Sequence, residues 1–459
     1  MEDTIAAIAT PYGEGGIGII RISGEEAGRI LDEVFVPAVK KDAEDRESRR
    51  LMYGHVVDPE SGSTIDEVLA VFMKGPHTYT GEDVAEIDCH GGIVPLRKAL
   101  ELVYAHGAVP AEKGEFTKRA FLNGRIDLSQ AEAVIDLIKA KADKSFDVAM
   151  DQLQGGLSRE IRKIRAGLMD LLVELTVNID YPDEDIEVIT YETIYEGLKR
   201  AQTSVGKLLA SSSTGRLLSE GIKVAIIGKP NVGKSSLMNA LLRESRAIVT
   251  DIPGTTRDTI EEALSIDGVP VVLTDTAGIR ETSDRIETIG IERSKASVGS
   301  ADLVLFMVDG SRELDEEDRY IAEHIEPAKT LIVINKTDLE QKVTSDDVRK
   351  LAEGADIIET SLADDSGAEI VEKTILSRVM SGETRQGESV MVTNARHEAL
   401  LREAEQSIKD ALLLTDHNEP LEIIEIDVNQ AYESLGEIIG ESVGDDIIDE
   451  VFSRFCLGK

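Results

Sequence analysis

The stretch that constrains this chain most is the glycine-rich segment from Gly228 to Ser235, which reads GKPNVGKS. It follows the short apolar run 224–227 and precedes a helical run over residues 236–242. A strand, a glycine loop and a helix in that order form a phosphate-binding loop, in which backbone N–H groups and the helix N-terminus face one anion. The spacing predicts that Lys234 reaches the terminal phosphates and that the Ser235 hydroxyl takes a Mg²⁺ ion.

Two later strand ends carry the other residues that a guanine-nucleotide site needs. The apolar run 271–274 leads into Asp275-Thr276-Ala277-Gly278, where Asp275 can hold the Mg²⁺ shell and the Gly278 N–H can sense the γ-phosphate. The apolar run 331–334 leads into Asn335-Lys336-Thr337-Asp338. An ionised carboxylate only accepts hydrogen bonds, so Asp338 can pair with two N–H protons of guanine and repels the adenine edge. The loop therefore predicts selection of GTP.

The segment between these loops predicts a nucleotide switch, and the pattern around it predicts an α/β fold. Residues 250–258 read TDIPGTTRD, a polar, threonine-rich loop suited to ordering around a nucleotide. From about residue 221 to 377, apolar runs alternate with helical stretches, which predicts a mainly parallel sheet with helices on both faces. The runs cover residues 223–227, 269–274, 303–308, 330–334 and 357–360.

The flanking sequence predicts two further folds. Residues 1–118 read as an α+β domain, with short β-rich runs between Gly and Pro residues. Apolar residues recur with a helical period over residues 119–220 and again over residues 378–459. We therefore expect a multidomain chain in which an α/β P-loop GTPase domain, residues 221–377, is inserted into an all-α domain.

Three finer expectations concern the helical halves. The apolar stripe from Leu153 to Leu175 predicts a helix of several turns. Another helical run, Tyr191 to Leu209, leads to a predicted polar joint at 211–215. The tail 452–459 contains two phenylalanines and a cysteine, which favours a tail that docks over one that frays.

Composition limits the partners and the compartment. A net charge of −38 argues against a generic nucleic-acid coat, which needs Lys and Arg. The densest basic run, Arg159 to Arg165, is open to two interpretations: a solvated helix face or a contact to RNA phosphates. Two cysteines give neither a disulfide framework nor a zinc spacing, which fits a reducing cytoplasm. We expect no signal peptide and no membrane span, because no apolar run approaches ~20 residues.

These residues resemble a known family, the bacterial tRNA-modification GTPases MnmE, also called TrmE. The central loops GKPNVGKS and DIPGTTRD are the signature of its GTPase class. Four outer segments are more specific, and the resemblance covers essentially the whole chain. They are Gly18–Gly24, Tyr79–Glu86, Gly114–Thr117 continued by Leu122–Leu128, and the tail Phe455–Lys459.

The resemblance implies a tRNA-modifying enzyme. Members are cytoplasmic homodimers that work with the flavoprotein MnmG (GidA), in a heterotetramer or larger complex, on the wobble uridine, position 34, of certain tRNAs. They add an aminomethyl or carboxymethylaminomethyl group at C5, with a 5-formyl- or methylene-tetrahydrofolate bound by the N-terminal domain as one-carbon donor. By resemblance, Arg21, Glu86, Arg125 and Lys459 fall on folate-contacting positions, and Cys456 on the family's tail cysteine, which we expect to be catalytic.

The resemblance also implies how GTP is hydrolysed. Ile279 stands where Ras-like proteins use a glutamine to orient water. Glu281, Asp284 and Glu287 are all candidates for that task, and the resemblance selects Glu287. No arginine finger is evident, and in this family K⁺ supplies the missing charge as GTPase domains dimerise. The implied K⁺ ligands are Asn231, Thr250, Ile252 and Thr255, and the implied Mg²⁺ ligands are Ser235 and Thr256. The implied GTP contacts are Asn231, Val232, Gly233, Lys234, Ser235, Ser236, Thr250, Asp251, Ile252, Pro253, Gly254, Thr255, Thr256, Asp275, Thr276, Ala277, Gly278, Asn335, Lys336, Asp338 and Ser361.

Two other functions share parts of this pattern. A GTP-dependent ribosome-assembly factor has the same central loops, but it predicts a basic RNA-binding appendage after the GTPase domain, where this chain is acidic and helical. A folate-binding scaffold with a silent GTPase requires a damaged phosphate loop, and Gly228–Ser235 is intact.

Overall fold

The computed structural model describes residues 3–39, 47–181, 189–244, 261–275, 298–363, 366–380 and 390–459. The chain forms two compact units: Met1–Ile135 with Glu433–Lys459, and Asp136–Tyr432. The first unit thus joins the two ends of the chain.

The first unit is built on a sheet with two helices, α1 and α2, on one face. Within the described residues its strand order is β3-β4-β5-β6-β2-β1-β7, antiparallel throughout except for the β1–β7 pair. Helices α1 and α2 contribute to the same apolar core as one face of the sheet, which includes Ile20, Ile22 and Ile87. The alternation of β2 and β6 turns Arg21 and Glu86, which pair in register, to the opposite face. The elements are β1 (Ile5–Ile8), β2 (Ile17–Ser23), α1 (Ala27–Val34), β3 (Phe35–Pro37), β4 (Met52–Val57), β5 (Thr64–Met73), β6 (Val84–His90), α2 (Ile93–Ala105), β7 (Val109–Pro110), α3 (Glu115–Leu122) and α4 (Leu128–Lys139).

The C-terminal tail docks on this unit, as the sequence predicts. The Phe452 ring lies 6.4 Å from that of Phe121 and 5.2 Å from that of Phe455. Beyond them, Leu457 forms an isolated antiparallel bridge with Lys113. The tail's burial of two aromatic rings explains why it does not fray.

The second unit begins and ends in helices. They are α5 (Asp143–Leu153), α6 (Gly156–Asp180), α7 (Tyr191–Glu220), α12 (Ala395–Asp416) and α13 (Leu421–Ile439). The tail of the chain, which belongs to the first unit, contains one more helix, α14 (Asp445–Ser453).

Three sequence expectations about these helices are wrong in detail. The stripe from Leu153 to Leu175 spans two helices, because Gly155 adopts a left-handed φ of 81° between them. The predicted polar joint at 211–215 is the interior of α7, where the Ser211 and Ser212 hydroxyls donate to carbonyls three residues earlier. Arg165 is not on an open face: it is buried, 3.9 Å from the centre of the Tyr432 ring.

A six-stranded sheet carries the nucleotide loops, in the order β13-β12-β11-β8-β10-β9 within the described residues. Its strands are parallel except for β9, which pairs antiparallel with β10. Apolar cores lie on both faces, which confirms the expected α/β architecture. The elements are β8 (Ile222–Ile227), α8 (Lys234–Glu244), β9 (Glu261–Ile266), β10 (Val269–Asp275), β11 (Leu303–Asp309), α9 (Glu316–Ala322), β12 (Thr330–Asn335), α10 (Ser345–Leu351), β13 (Asp356–Glu359) and α11 (Ser366–Met380).

None of the helices in the described ranges combines the length and the apolar character that crossing a membrane requires.

Candidate functional site

The phosphate-binding loop connects β8 to α8, as the motif predicts. Gly228 and Gly233 have φ of 139° and 111°, and a Cβ at either position would overlap a neighbour: the Met307 carbonyl or the Asn335 amide. Only glycine fits both places. The Lys234 ammonium donates to the carbonyl oxygens of Gly228 at 2.7 Å and Lys229 at 2.8 Å. Ser235 and Ser236 follow on the exposed first turn of α8.

The predicted guanine loop lies against the phosphate loop. Asn335 ends β12, and its side-chain amide donates to the Val232 carbonyl at 2.8 Å. Its side-chain oxygen accepts the Leu362 N–H at 3.2 Å, a contact that uses the backbone of residue 362 and not its side chain. The Ser361 hydroxyl donates to the Asp338 carboxylate at 2.6 Å. One asparagine therefore ties together three loops that sequence analysis assigned separately.

Lys336 is held by a carboxylate that sequence analysis missed. Its Nζ lies 2.6 Å from Asp309 Oδ2 at the end of β11. Burial alone would raise the pKa of Asp309, but hydrogen bonds from Lys336 and Ser311 outweigh it and hold the pKa at about 2. The signal was available, since Asp309 directly follows the third apolar run, residues 303–308.

Several predicted residues lie outside the described part of the chain. They are Thr250, Asp251, Ile252, Pro253, Gly254, Thr255, Thr256, Thr276, Ala277, Gly278 and Glu287. Asp275 is described as the last residue of β10, beside the β8 strand that leads into the phosphate loop. Asn231 is on the loop itself, with a left-handed φ of 65°.

A second candidate site lies on the face of the first unit's sheet that is opposite to α1 and α2. Arg21 Nε donates to Glu86 Oε1 at 2.7 Å. The Arg21 guanidinium lies 5.6 Å from the centre of the Tyr79 ring and 5.7 Å from that of Phe116. Arg125 approaches Tyr79 as well, 4.9 Å from the ring centre, and donates to its carbonyl at 3.1 Å. Tyr79 thus links two cations, as cation–π contacts allow.

The docked tail brings two more predicted residues to this place. Gly458 lies so close to β1 that a Cβ on it would overlap the Ile8 carbonyl oxygen. The pKa of Lys459 is lowered, first by burial and then by the positive charge of Arg21, while Cys456 and Glu86 act in the opposite direction. Cys456 is exposed. Arg21, Glu86, Cys456 and Lys459 therefore share one electrostatic environment, although the first two lie in the N-terminal part of the sequence and the last two at its C-terminal end.

Sequence reasoning missed the residues that support this second site. The Tyr79 hydroxyl is hydrogen-bonded to Thr117 at 2.9 Å. The buried Arg119 holds Glu82 at 3.1 Å and Glu115 at 2.9 Å. The signal was present, because these residues fall in or beside the segments that carry the resemblance.

The fold and the first site define a class: a P-loop protein whose loops are arranged for a guanine nucleotide. Two family models match the chain, the GTP-binding protein TrmE N-terminus over residues 4–125 and the MnmE helical domain over residues 128–456. The tRNA modification GTPase MnmE of Alkaliphilus metalliredigens is 50% identical over 459 residues, covering 100% of both chains. That of Clostridioides difficile is 49% identical over 459 residues, again covering 100% of both. This chain belongs to the MnmE family of tRNA-modification GTPases.

Solved structures that match cover less of the chain. The G domain of the T. maritima FeoB iron transporter is 27% identical; the match covers 35% of this chain and 98% of that chain, with a TM-score of 0.26. Aquifex aeolicus Era is 30% identical; the match covers 40% of this chain and 65% of that chain, with a TM-score of 0.27.

Proposed function

We propose that this protein hydrolyses GTP and takes part, with an MnmG-type flavoprotein, in building a C5 side chain on the wobble uridine of certain tRNAs. Family membership supports the GTPase activity and the tRNA substrate. The reduced folate as one-carbon donor, the flavoprotein partner, the homodimer, the cytoplasmic location and the role of K⁺ are the finer parts of this proposal.

The nucleotide site supports GTP over ATP. Asp338 presents a carboxylate that is fixed by Ser361 at 2.6 Å, and a fixed acceptor is the group that guanine's two N–H protons require. Asn335 joins that loop to the phosphate loop. Base recognition and phosphate binding are therefore coupled through one side chain.

One observation supports the folate proposal: the docked tail brings Lys459 within the electrostatic influence of both members of the Arg21–Glu86 pair, and the exposed Cys456 is on the same tail. A reduced folate is a flat pterin with a glutamate tail of two carboxylates. Arg21, Arg125 and Lys459 supply cations for carboxylates, and Glu86 can accept from a pterin N–H edge. The neighbouring Tyr79 ring provides a face for the pterin. The residues present therefore fit this ligand.

The phosphate loop also fits its two proposed metal ions in part. Ser235 is exposed at the start of α8, where its hydroxyl can take Mg²⁺. Asn231 is exposed on the loop, where it can offer an oxygen to K⁺. When bound, these cations would offset the charge of the transferred phosphoryl group. The remaining proposed ligands, and the proposed water-orienting Glu287, lie outside the described residues.

The decisive experiment is mass spectrometry of wobble nucleosides in tRNA from a strain lacking this gene. We expect the C5-modified uridine to disappear and to return with the wild-type gene. Purified protein should also bind a reduced folate in a fluorescence titration. Unchanged wobble uridine in the deletion strain would refute the proposed function.

The same measurements separate the competing functions. If the protein were a ribosome-assembly GTPase, the deletion strain would keep its C5-modified wobble uridine, and the purified protein would not bind a reduced folate. A folate scaffold with a silent GTPase would bind the folate but release no phosphate from GTP. Binding of both ligands, together with loss of the modified uridine, is expected only of the proposed enzyme.

A further inference from the structure

The side chain of Lys229, the second residue of the phosphate loop, points away from the loop and toward the start of α9. Its Nζ lies 2.7 Å from Asp315 Oδ2 and 2.6 Å from Asp318 Oδ2. The lysine side chain is 13% exposed and that of Asp318 only 3%. Lys229 thus forms a buried ion pair with Asp318 and a second ion pair with Asp315, whose side chain is exposed, and the shared cation belongs to the phosphate loop.

The two carboxylates are themselves fixed by the helix. Asp315 is the N-cap of α9 and accepts the backbone N–H groups of Glu317 and Asp318. Asp318 returns the bond by accepting the Asp315 N–H at 3.2 Å, which completes a capping box. The anchor for Lys229 is therefore a rigid helix start.

The buried negative charge of Asp318 is compensated by the positive charge of Lys229. Its other oxygen, Oδ1, is buried and has no hydrogen-bond partner among the described residues. A buried carboxylate needs a paired cation, and Lys229 is the cation in contact with it. Burial alone would lower the pKa of Lys229, but the hydrogen bonds to Asp315 and Asp318 outweigh it and raise the pKa, so the lysine stays charged.

The backbone of the same residue faces the nucleotide side. The Lys229 carbonyl accepts the Lys234 ammonium at 2.8 Å. The Lys229 side chain thus anchors the loop to the start of α9, while the Lys229 carbonyl holds Lys234, the lysine that must reach the phosphates. A loop fixed in this way loses less conformational entropy when it closes on an anion.

We infer that Lys229, clamped by Asp315 and Asp318, is a positioning residue that sets the phosphate loop for the β-phosphate of a guanine nucleotide. The inference rests on the proposed GTPase function and adds to it a residue that does not touch the nucleotide through its side chain. Loss of the clamp should weaken binding of the phosphates and leave binding of the base unchanged.

The test compares GDP with GMP, because the two differ in the β-phosphate alone. In Lys229→Met we expect the Kd for GDP to rise about tenfold or more, the factor that a hydrogen bond to a charged group is worth. The Kd for GMP, measured by competition with a fluorescent GDP, should stay within about twofold because the base loop is untouched. Lys229→Arg keeps the cation and should restore most of the GDP affinity.

Two further variants separate positioning from folding. Lys229→Met with Asp318→Asn removes the buried unpaired charge, so its Tm should exceed that of Lys229→Met, yet its GDP affinity should remain low. Asp315→Asn keeps the cap and the buried pair, folds normally and should show a smaller loss of GDP affinity.

The outcomes are distinct. Equal loss of GDP and GMP affinity, or wild-type GDP affinity in the double variant, would show that Lys229 matters only for folding and would overturn the inference. Wild-type protein that bound no guanine nucleotide at all would instead overturn the proposed GTPase function.

Discussion

Replacement of Gly458 by alanine should release the end of the tail from the first unit. Gly458 is buried and has a φ of 85°, a conformation that alanine rarely adopts. A Cβ there would overlap the Ile8 carbonyl oxygen and lie 3.0 Å from Ala9 Cα. Both obstacles are backbone atoms, one of the last residue of β1 and one of the residue that follows it, so a rotamer change cannot relieve the overlap.

The expected magnitudes favour release. A non-glycine residue in a strained backbone conformation costs about 1–3 kcal/mol, before the overlap is counted. Against this, the last residues are held at the bridge between Lys113 and Leu457, where the Gly114 N–H donates to the Cys456 carbonyl at 3.4 Å. Hydrogen bonds of this kind contribute about 0.5–1.5 kcal/mol each. Phe455 precedes the strained position and stays buried, so only the segment beyond it should leave.

Hydrogen–deuterium exchange measures the release directly. In Gly458→Ala we expect the amide of Gly114, which donates to the Cys456 carbonyl, to exchange about tenfold faster or more, while the peptides of β2 and β6 keep their wild-type rates. Gly444→Ala is the matched control, because Gly444 has a φ of −73° and faces open space. Under the proposed function, the released tail should abolish tRNA modification and leave GTP turnover unchanged.

Wild-type exchange at Gly114 in the Gly458→Ala protein would refute this reasoning. It would mean that β1 shifts to accommodate the methyl group at little cost. Faster exchange together with full tRNA modification would support the predicted release of the tail but would show that the docked tail is not needed for the proposed tRNA modification.

Four other outcomes are expected. Asp338→Asn should weaken GTP binding about tenfold and relax the preference for guanine over hypoxanthine, because one guanine N–H loses its acceptor; GTP and ITP titrations measure this. Cys456→Ser should fold normally and hydrolyse GTP but fail to restore modified uridine in a deletion strain. Native protein treated with an alkylating reagent at pH 8 should be labelled at Cys456 and not at Cys89, since burial, with Asp66 and Asp88, raises the pKa of the Cys89 thiol to about 12; peptide mass spectrometry locates the label. GTP hydrolysis should be faster in KCl than in NaCl at equal ionic strength, and Asn231→Ala should remove that difference.

The sequence predicted the nucleotide domain well because its signals are local. A phosphate loop, a strand end and a guanine loop each need only a few adjacent residues, and parallel strands bring their carboxyl ends to one edge. Local sequence patterns could not predict the hydrogen bonds between loops, such as the one from the Asn335 side chain to the Val232 carbonyl. That contact joins residues about a hundred positions apart, and its existence depends on strand order.

The helical segments show the opposite limit. The interruption at Gly155 and the continuity through Ser211–Gly215 depend on what packs nearby. A Cβ on Gly215 would overlap the Val392 carbonyl. The segment that packs on Gly215 therefore follows the inserted GTPase domain in sequence. Serine and glycine are poor helix formers in isolation. Tertiary packing overrode that preference, as it commonly does in long helices.

The second site shows how a strongly acidic chain can still bring several cationic side chains together. Arg21, Arg125 and Lys459 come from a strand, a loop and the tail, and the carboxylate of Glu86 pairs with Arg21 and also acts on Lys459. The lowered pKa of Lys459 shows that bringing these charges together costs free energy, through burial first and repulsion from Arg21 second. An anionic ligand would offset that cost and would raise the pKa of Lys459 toward its usual value. Affinity for such a ligand is then lost as the pH rises through the lowered pKa, because the neutral amine no longer attracts it.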